Sequence, residues 1–235
     1  MKYNRILLKL SGQSLMGDKH ETFDQERLSQ FALDIKKVVE KGLEVAIVIG
    51  GGNIFRGLKG KEKGVDRIQG DYMGMLATVI NCMALQDALE KQEVPSTILS
   101  GIPIDRIAGQ MSSKKAIGHL EKGHVVLISG GTGNPFFTTD SAAVLRALEV
   151  KADILLKGTR VDGVYSDNPE TNPDATKFDR LTFDEAYRKQ LGIIDMTAYT
   201  LCWENNLPLL VFNMNVAGNL GKILENESIG TFVGP

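Results

Sequence analysis

Residues 43–53 read LEVAIVIGGGN. The run at 43–49 is apolar and rich in β-branched residues, as a strand buried on both faces of a parallel sheet should be. It ends in three consecutive glycines, which cost backbone entropy but permit a tight turn and a close approach to the main chain. The same pattern, an apolar run giving way to a small turn, recurs at 6–10 before Ser11 and Gly12, at 125–129 before Gly130, and at 154–157 before Gly158. Further strand-like runs lie at 96–99 and 209–213.

Helical patterns separate these runs. Asp24 is placed to N-cap a helix reaching about Lys41, with Leu28, Phe31, Ala32, Ile35, Val38 and Val39 at 3.6-residue spacing and Gly42 as the C′ residue. A long helix is expected over 66–91, with Met73, Leu76, Ala77, Ile80, Ala84 and Ala88 on its apolar face. Others are expected near 113–122, 139–148, 182–189 and 196–206. The alternation predicts an α/β fold, a three-layer αβα sandwich around a mainly parallel sheet. Residues 1–235 read as one domain, with no internal repeat or low-complexity linker. Pro169 and Pro173 mark 162–178 as a long irregular loop, functional or mobile.

Composition narrows the function. The 235 residues carry 29 acidic and 27 basic side chains, a formal charge of −2. That balance argues against a general nucleic-acid or membrane-surface binder, which needs excess Lys and Arg. No stretch approaches the roughly 20 apolar residues of a membrane span. The opening MKYNRILLKLSG has too short an apolar run for a secretory signal, so a cytoplasmic location is expected. Cys82 and Cys202 are isolated, and His20, His119 and His124 are scattered, so neither a disulfide framework nor a protein-built metal site is expected. Glycine accounts for 25 residues, well above the usual share of about 7%.

Ligands of open parallel sheets bind beyond the carboxyl ends of the strands, so the four junctions are the places to look for chemistry. At the first, Lys9 faces away from Leu8 and Leu10. A lysine in a buried strand is costly unless its charge is used; the alternative is an edge lysine whose stem packs while its head reaches water. Ser11 and Gly12 follow, able to turn backbone N–H groups toward an anion. At the second, helix-forming residues follow Gly50 to Gly52 and Asn53, placing Arg56 one turn into a helix whose N-terminus suits an anion. This is neither a dinucleotide fingerprint nor a P-loop. Beyond it, 57–64 (GLKGKEKG) reads as a solvated loop or, alternatively, a phosphate-closing lid.

The third junction, 130–140 (GGTGNPFFTTD), is far longer than a turn requires and is rich in hydrogen-bonding groups. Phe136 and Phe137 either pack or flank a planar ring. Asp140, in the first helical turn, either steadies the helix or holds a neighbouring lysine or a metal-bound phosphate. The fourth, 156–165 (LKGTRVDGVY), repeats a strand-end lysine at Lys157. Two lysines converging on one phosphate suit phosphoryl transfer, which relies on positioning and charge. Tyr165 either packs or lies against a purine. Asp71 is either helix N-terminal charge or an acceptor for sugar hydroxyls. Mg²⁺ would accompany the nucleotide, held largely by phosphates and water.

The segments KLSG at 9–12, GGGNIFRG at 50–57, DYMGMLAT at 71–78, GTGNPFFTTDSAA at 131–143, LKGTRVDGVYSDNP at 156–169 and PLLVFNMN at 208–215 together resemble the bacterial-type uridylate (UMP) kinases of the amino acid kinase fold family. The resemblance runs nearly end to end. It implies transfer of the ATP γ-phosphate to UMP, giving UDP and ADP in pyrimidine nucleotide biosynthesis. It implies a homohexamer, with GTP and UTP as effectors. Carried over, it puts Lys9, Leu10, Ser11, Gly12, Gly52, Arg56, Thr159, Tyr165 and Asn168 at ATP. It puts Gly51, Asp71, Thr132, Gly133, Asn134, Pro135, Phe136, Phe137, Thr138 and Thr139 at UMP. Lys9, Asp140 and Lys157 would be catalytic: Lys9 on the moving phosphoryl group, Asp140 orienting Lys9, and Lys157 adding positive charge. The chain departs from the family at Gln13, where Glu is usual, at Asn168, where Asp is usual, and in the composition of 17–22, a segment tied to GTP activation in some members. A non-catalytic nucleotide-binding protein and a carboxylate (amino acid) kinase on the same fold are the competing readings.

Overall fold

A computed structural model of the chain describes residues 3–17, 21–55, 64–225 and 229–235. Its main sheet is built from β1 (Arg5–Leu10), β2 (Glu44–Ile49), β3 (Ser96–Ser100), β4 (Gly109–Gln110), β5 (Val125–Ser129), β6 (Ile154–Thr159), β9 (Arg180–Thr182), β10 (Leu209–Asn213) and β11 (Thr231–Gly234). The spatial order is β4-β3-β5-β2-β1-β6-β10-β11-β9. Every neighbouring pair is parallel except β10 and β11. Among the described residues seven α-helices cover it: α1 (Gln25–Val39), α2 (Arg67–Lys91), α3 (Ser113–Leu120), α4 (Thr139–Glu149), α5 (Phe183–Arg188), α6 (Met196–Glu204) and α7 (Asn219–Glu225).

Strand alternation creates two cores. Ile6, Leu8 and Leu10 of β1, with Val45, Ile47 and Ile49 of β2, pack against α1, α2 and α7. Leu7, Ala46, Val48 and Leu155 face the opposite way, toward α3, α4, α5 and α6. The result is the three-layer sandwich the alternation predicts. Because both faces are covered, the central strands carry apolar side chains at nearly every position. Lys9 and Lys157 interrupt that pattern with a charge inside the strand, and both reach Asp140 on the α4 side.

Local signals explain where the helices stop and start. The Asp24 carboxylate accepts hydrogen bonds from the N–H groups of Glu26 and Arg27 at the start of α1. At its end the Gly42 N–H donates to the Val39 carbonyl and the Leu43 N–H to the Val38 carbonyl, with Gly42 at φ +86°. That is a Schellman ending with glycine at C′. Asp66 caps α2. Thr138 caps α4, accepting from the N–H groups of Asp140 and Ser141.

Three expectations need correction. The buried face of α2 carries Met75, Ala77, Thr78, Val79, Asn81, Cys82, Leu85 and Ala88, whereas Met73, Leu76 and Ile80 are 42%, 48% and 46% exposed. The helix is apolar nearly all round, so periodicity cannot choose its inner face. Residues 162–178 are not structureless: β7 (Val164–Tyr165) and β8 (Lys177–Phe178) pair antiparallel as a hairpin. The Thr231 hydroxyl ties this hairpin to β11, accepting from the Val164 N–H at 2.8 Å and donating to the Phe178 carbonyl. After the triglycine, the Gly51 carbonyl accepts from the N–H groups of Ile54 and Phe55, a single turn. Arg56 and the rest of 56–63 lie outside the described residues, as do 18–20 of the 17–22 segment.

Candidate active site

β1 and β6 are neighbours, and their register puts Lys9 directly beside Lys157. Both side chains leave the same face and meet Asp140, which the cap at Thr138 fixes in the first turn of α4. Lys9 Nζ stands 2.9 Å from Asp140 Oδ1, and Lys157 Nζ stands 2.8 Å from Oδ2. All three side chains are largely buried. Lys157 also donates to the Ile193 carbonyl at 2.6 Å.

The triad carries one surplus positive charge at a sheet edge. Burial alone would raise the Asp140 carboxyl, but the two lysines outweigh it and hold it below its ordinary range. Burial pushes the Lys157 ammonium down; Asp140 opposes that and Lys9 adds to it. A buried ion cluster of this kind contributes little net stability compared with apolar packing. What it provides is a fixed pair of ammonium groups with a counter-charge that aims them, an environment in which an incoming anion is favoured.

Three cavities are lined by residues of the strand-end junctions. One, of about 530 Å³, is lined by Gly51, Gly52, Asp71, Thr132, Asn134, Phe137, Thr138 and Thr139, with Arg67 and Met75 among the others. A second, of about 580 Å³, is lined by Lys9, Ser11, Gln13, Lys157, Gly158, Thr159 and Asn215. A third, of about 450 Å³, shares Lys157 and Thr159 with the second and runs to Tyr165, Asp167 and Asn168.

The turns between these cavities are sterically closed to side chains. A Cβ on Gly12 would lie 2.3 Å from both Asn53 Oδ1 and the Gly50 carbonyl oxygen. Asn81, wholly buried on α2, donates to that carbonyl at 2.7 Å and to Asn53 Oδ1 at 2.8 Å. The buried amide pair therefore holds the triglycine turn against the loop after β1.

The amino acid kinase family model matches residues 4–213. The chain belongs to the amino acid kinase family. It is 54% identical over 232 residues to the uridylate kinase of Parabacteroides distasonis, covering 99% of this chain and 98% of that one. The crystal structure of UMP kinase from Bacillus anthracis superimposes with a TM-score of 0.95 at 36% identity, covering 100% of this chain and 97% of that one. The UMP kinase structure from Ureaplasma parvum gives 0.93 at 38% identity, with 100% coverage of both. Within the amino acid kinase family the chain groups with the uridylate kinases.

The structure puts most of the residues singled out from the sequence in the walls of these three cavities, and it also shows what each has to offer. The Leu10 side chain is wholly in the core, so only its backbone faces the junction. Thr138 uses its hydroxyl oxygen to cap α4 and donates its proton to Asp195. Thr159 Oγ1 bonds to the Val161 carbonyl at 2.6 Å. The Tyr165 hydroxyl donates to Asp162 at 2.5 Å, leaving its ring at the third cavity. Gly133, at φ +83°, Pro135 and Phe136 lie in the 130–140 loop but not in the wall of the first cavity. Phe137 is in that wall, while Phe136 is 65% exposed.

Besides Asn81, three residues escaped the sequence reading. Asp195, the N-cap of α6, accepts from Ser141 Oγ at 3.0 Å as well as from Thr138. Arg146, buried on α4, donates to the Gly131 carbonyl at 2.9 Å. Arg67 pairs with Asp71 at 2.8 Å. Only Arg67 left a local signal, an i,i+4 pairing with Asp71 that reads as ordinary helix surface.

Proposed function

We propose that this chain transfers the γ-phosphoryl group of ATP to UMP, giving UDP and ADP in pyrimidine nucleotide biosynthesis. The observation that carries the reading is the Lys9–Asp140–Lys157 triad, with both lysines in a cavity wall, in a chain half identical to a uridylate kinase. An oxygen of the UMP phosphate attacks the γ-phosphorus, and the bond from that phosphorus to the β,γ-bridging oxygen breaks. The attacking phosphate is already largely ionised near neutral pH, since its second pKa is about 6. No general base is needed, so charge and alignment are the protein's contribution.

In this reading the cavity at Gly51, Asp71 and 132–139 takes UMP, with Asp71 accepting from the ribose. The other two take ATP, its phosphates at Lys9, Ser11, Gly12 and Arg56 and its nucleoside at Thr159, Tyr165 and Asn168; Gly52, in the wall of the first cavity, would meet the ATP phosphates from the UMP side. Lys9 and Lys157 follow the transferring group, and Asp140 aims them. The donor set fits a Mg²⁺ brought by the nucleotide. Among the described residues no group of three or more His, Cys, Asp or Glu side chains could hold a metal, and the Asp140 carboxylate is committed to two lysines. When bound, the ion would offset the negative charge of the phosphates.

We further infer one catalytic domain over 1–235, a homohexamer, a cytoplasmic location, and GTP and UTP as effectors, all by likeness to the family. Among the described residues no helix is long and apolar enough to cross a membrane. An acceptor panel tests the reading: Mg-ATP with UMP, CMP and N-acetylglutamate. UDP formation supports it. Phosphorylation of the carboxylate alone selects the amino acid kinase reading, and nucleotide binding without turnover selects a non-catalytic protein.

A further inference from the structure

We propose that Arg67 is a positioning residue for the acceptor nucleoside, holding the Asp71 carboxylate and the Phe136 end of the acceptor loop as one unit. The inference rests on the acceptor reading given above. Arg67 Nε lies 2.8 Å from Asp71 Oδ2, and the Phe136 N–H donates to the same oxygen at 2.8 Å. The guanidinium also stands over the Phe136 ring, 5.6 Å from its centroid. Oδ2 is thereby committed to protein donors, while Oδ1 takes no hydrogen bond among the described residues and is left for sugar hydroxyls.

Helix stability does not account for this arginine. It is the first residue of α2, where the positive end of the helix dipole disfavours a cation, and the helix already has its cap in Asp66. Arg67 also lines the acceptor cavity. Phe136, in turn, sits at φ +72°, a left-handed conformation that a non-glycine residue adopts only under constraint. Its side chain is mostly in solvent, so core packing does not supply the constraint. The contacts that do are its N–H to Asp71 and its ring beneath Arg67. One guanidinium thus sets the carboxylate's rotamer and steadies the strained residue of the loop.

The test is steady-state kinetics and calorimetric UMP binding on full-length wild type, Arg67→Met, Arg67→Lys, Asp71→Asn and the Arg67→Met/Asp71→Asn double variant. Loss of a charge-assisted bond that acts through another residue should raise KM and Kd for UMP roughly tenfold in Arg67→Met. KM for ATP should be unchanged and kcat at saturating UMP should stay within about threefold. Arg67→Lys should recover part of the loss. The double variant should bind UMP no worse than Asp71→Asn, because Arg67 acts through that carboxylate. An unchanged KM for UMP in Arg67→Met overturns the proposal. So does a fully additive double variant, which would make Arg67 a direct ligand, or an equal change in both substrates' KM. If wild type itself fails to phosphorylate UMP, the acceptor reading falls, and this proposal with it.

Discussion

Asp140 carries one negative charge between two ammonium groups, so neutralising it leaves Lys9 and Lys157 facing each other without a counter-ion. Asp140→Asn should therefore lower kcat by about 10²–10³, the range found when one preorganised charge-stabilising group is removed, as read by UDP formation. It should also change the acid limb of stability. The carboxyl titrates lower in the folded chain than its ordinary 3.8, so its contribution is present above that pH and is lost as pH falls through the folded value. Thermal melts from pH 7 down to pH 3 should show a steeper loss of Tm in wild type than in Asp140→Asn. At this scale the sequence was informative wherever a residue broke its local pattern. Lys9 and Lys157 are charges in apolar strands, and Asp140 ends an over-long polar loop. Arg67, Arg146 and Asp195 break no pattern, since each reads as an ordinary helix residue. Apart from the i,i+4 pair of Arg67 with Asp71, their contacts are with loops 15 to 69 positions away, which no local rule reaches.

Elements were legible where periodicity or a terminal signal was clear, and not where neither was decisive. Asp24 and Gly42 bracket α1, and the structure uses both. Gly42→Ala is a clean test, because a Cβ there meets nothing within 4 Å and only the left-handed backbone is penalised. It should cost about 1–2 kcal/mol by denaturant unfolding, with kcat unchanged. The inner face of α2 was misjudged because Met73, Leu76 and Ile80 are as apolar as the residues that are buried. What decides the face is polar: Thr78 Oγ1 accepts from the Gly130 N–H at 2.8 Å, and Asn81 holds the Gly50 turn. The β7–β8 hairpin was invisible for another reason. Each strand is two residues long, too short for alternation to register, and its anchor, Thr231, is far along the chain.

For the whole molecule, the layers followed from alternation, but the strand order did not. Parallel strands buried on both faces look alike, and nothing local states that β1 lies between β2 and β6, which is the pairing that brings the two lysines together. The two cores should be the main source of stability. Leu127→Ala, a wholly buried position in β5, should cost about 2–5 kcal/mol in a two-state urea melt. Tyr72, Met73, Leu76, Ile80 and Met83 present an outward apolar face on α2. If the proposed hexamer forms through it, Leu76→Glu should lower the mass seen by light scattering, and an unchanged mass would place assembly elsewhere. The central claim is that the paired strand-end lysines move a phosphoryl group from ATP to UMP. It is tested most directly by following nucleotide products from Mg-ATP and UMP with wild type and Lys9→Ala. UDP and ADP should appear in equal amounts with wild type, and UDP formation should fall at least a hundredfold with the variant. ADP without UDP, or equal rates from the two proteins, would contradict it.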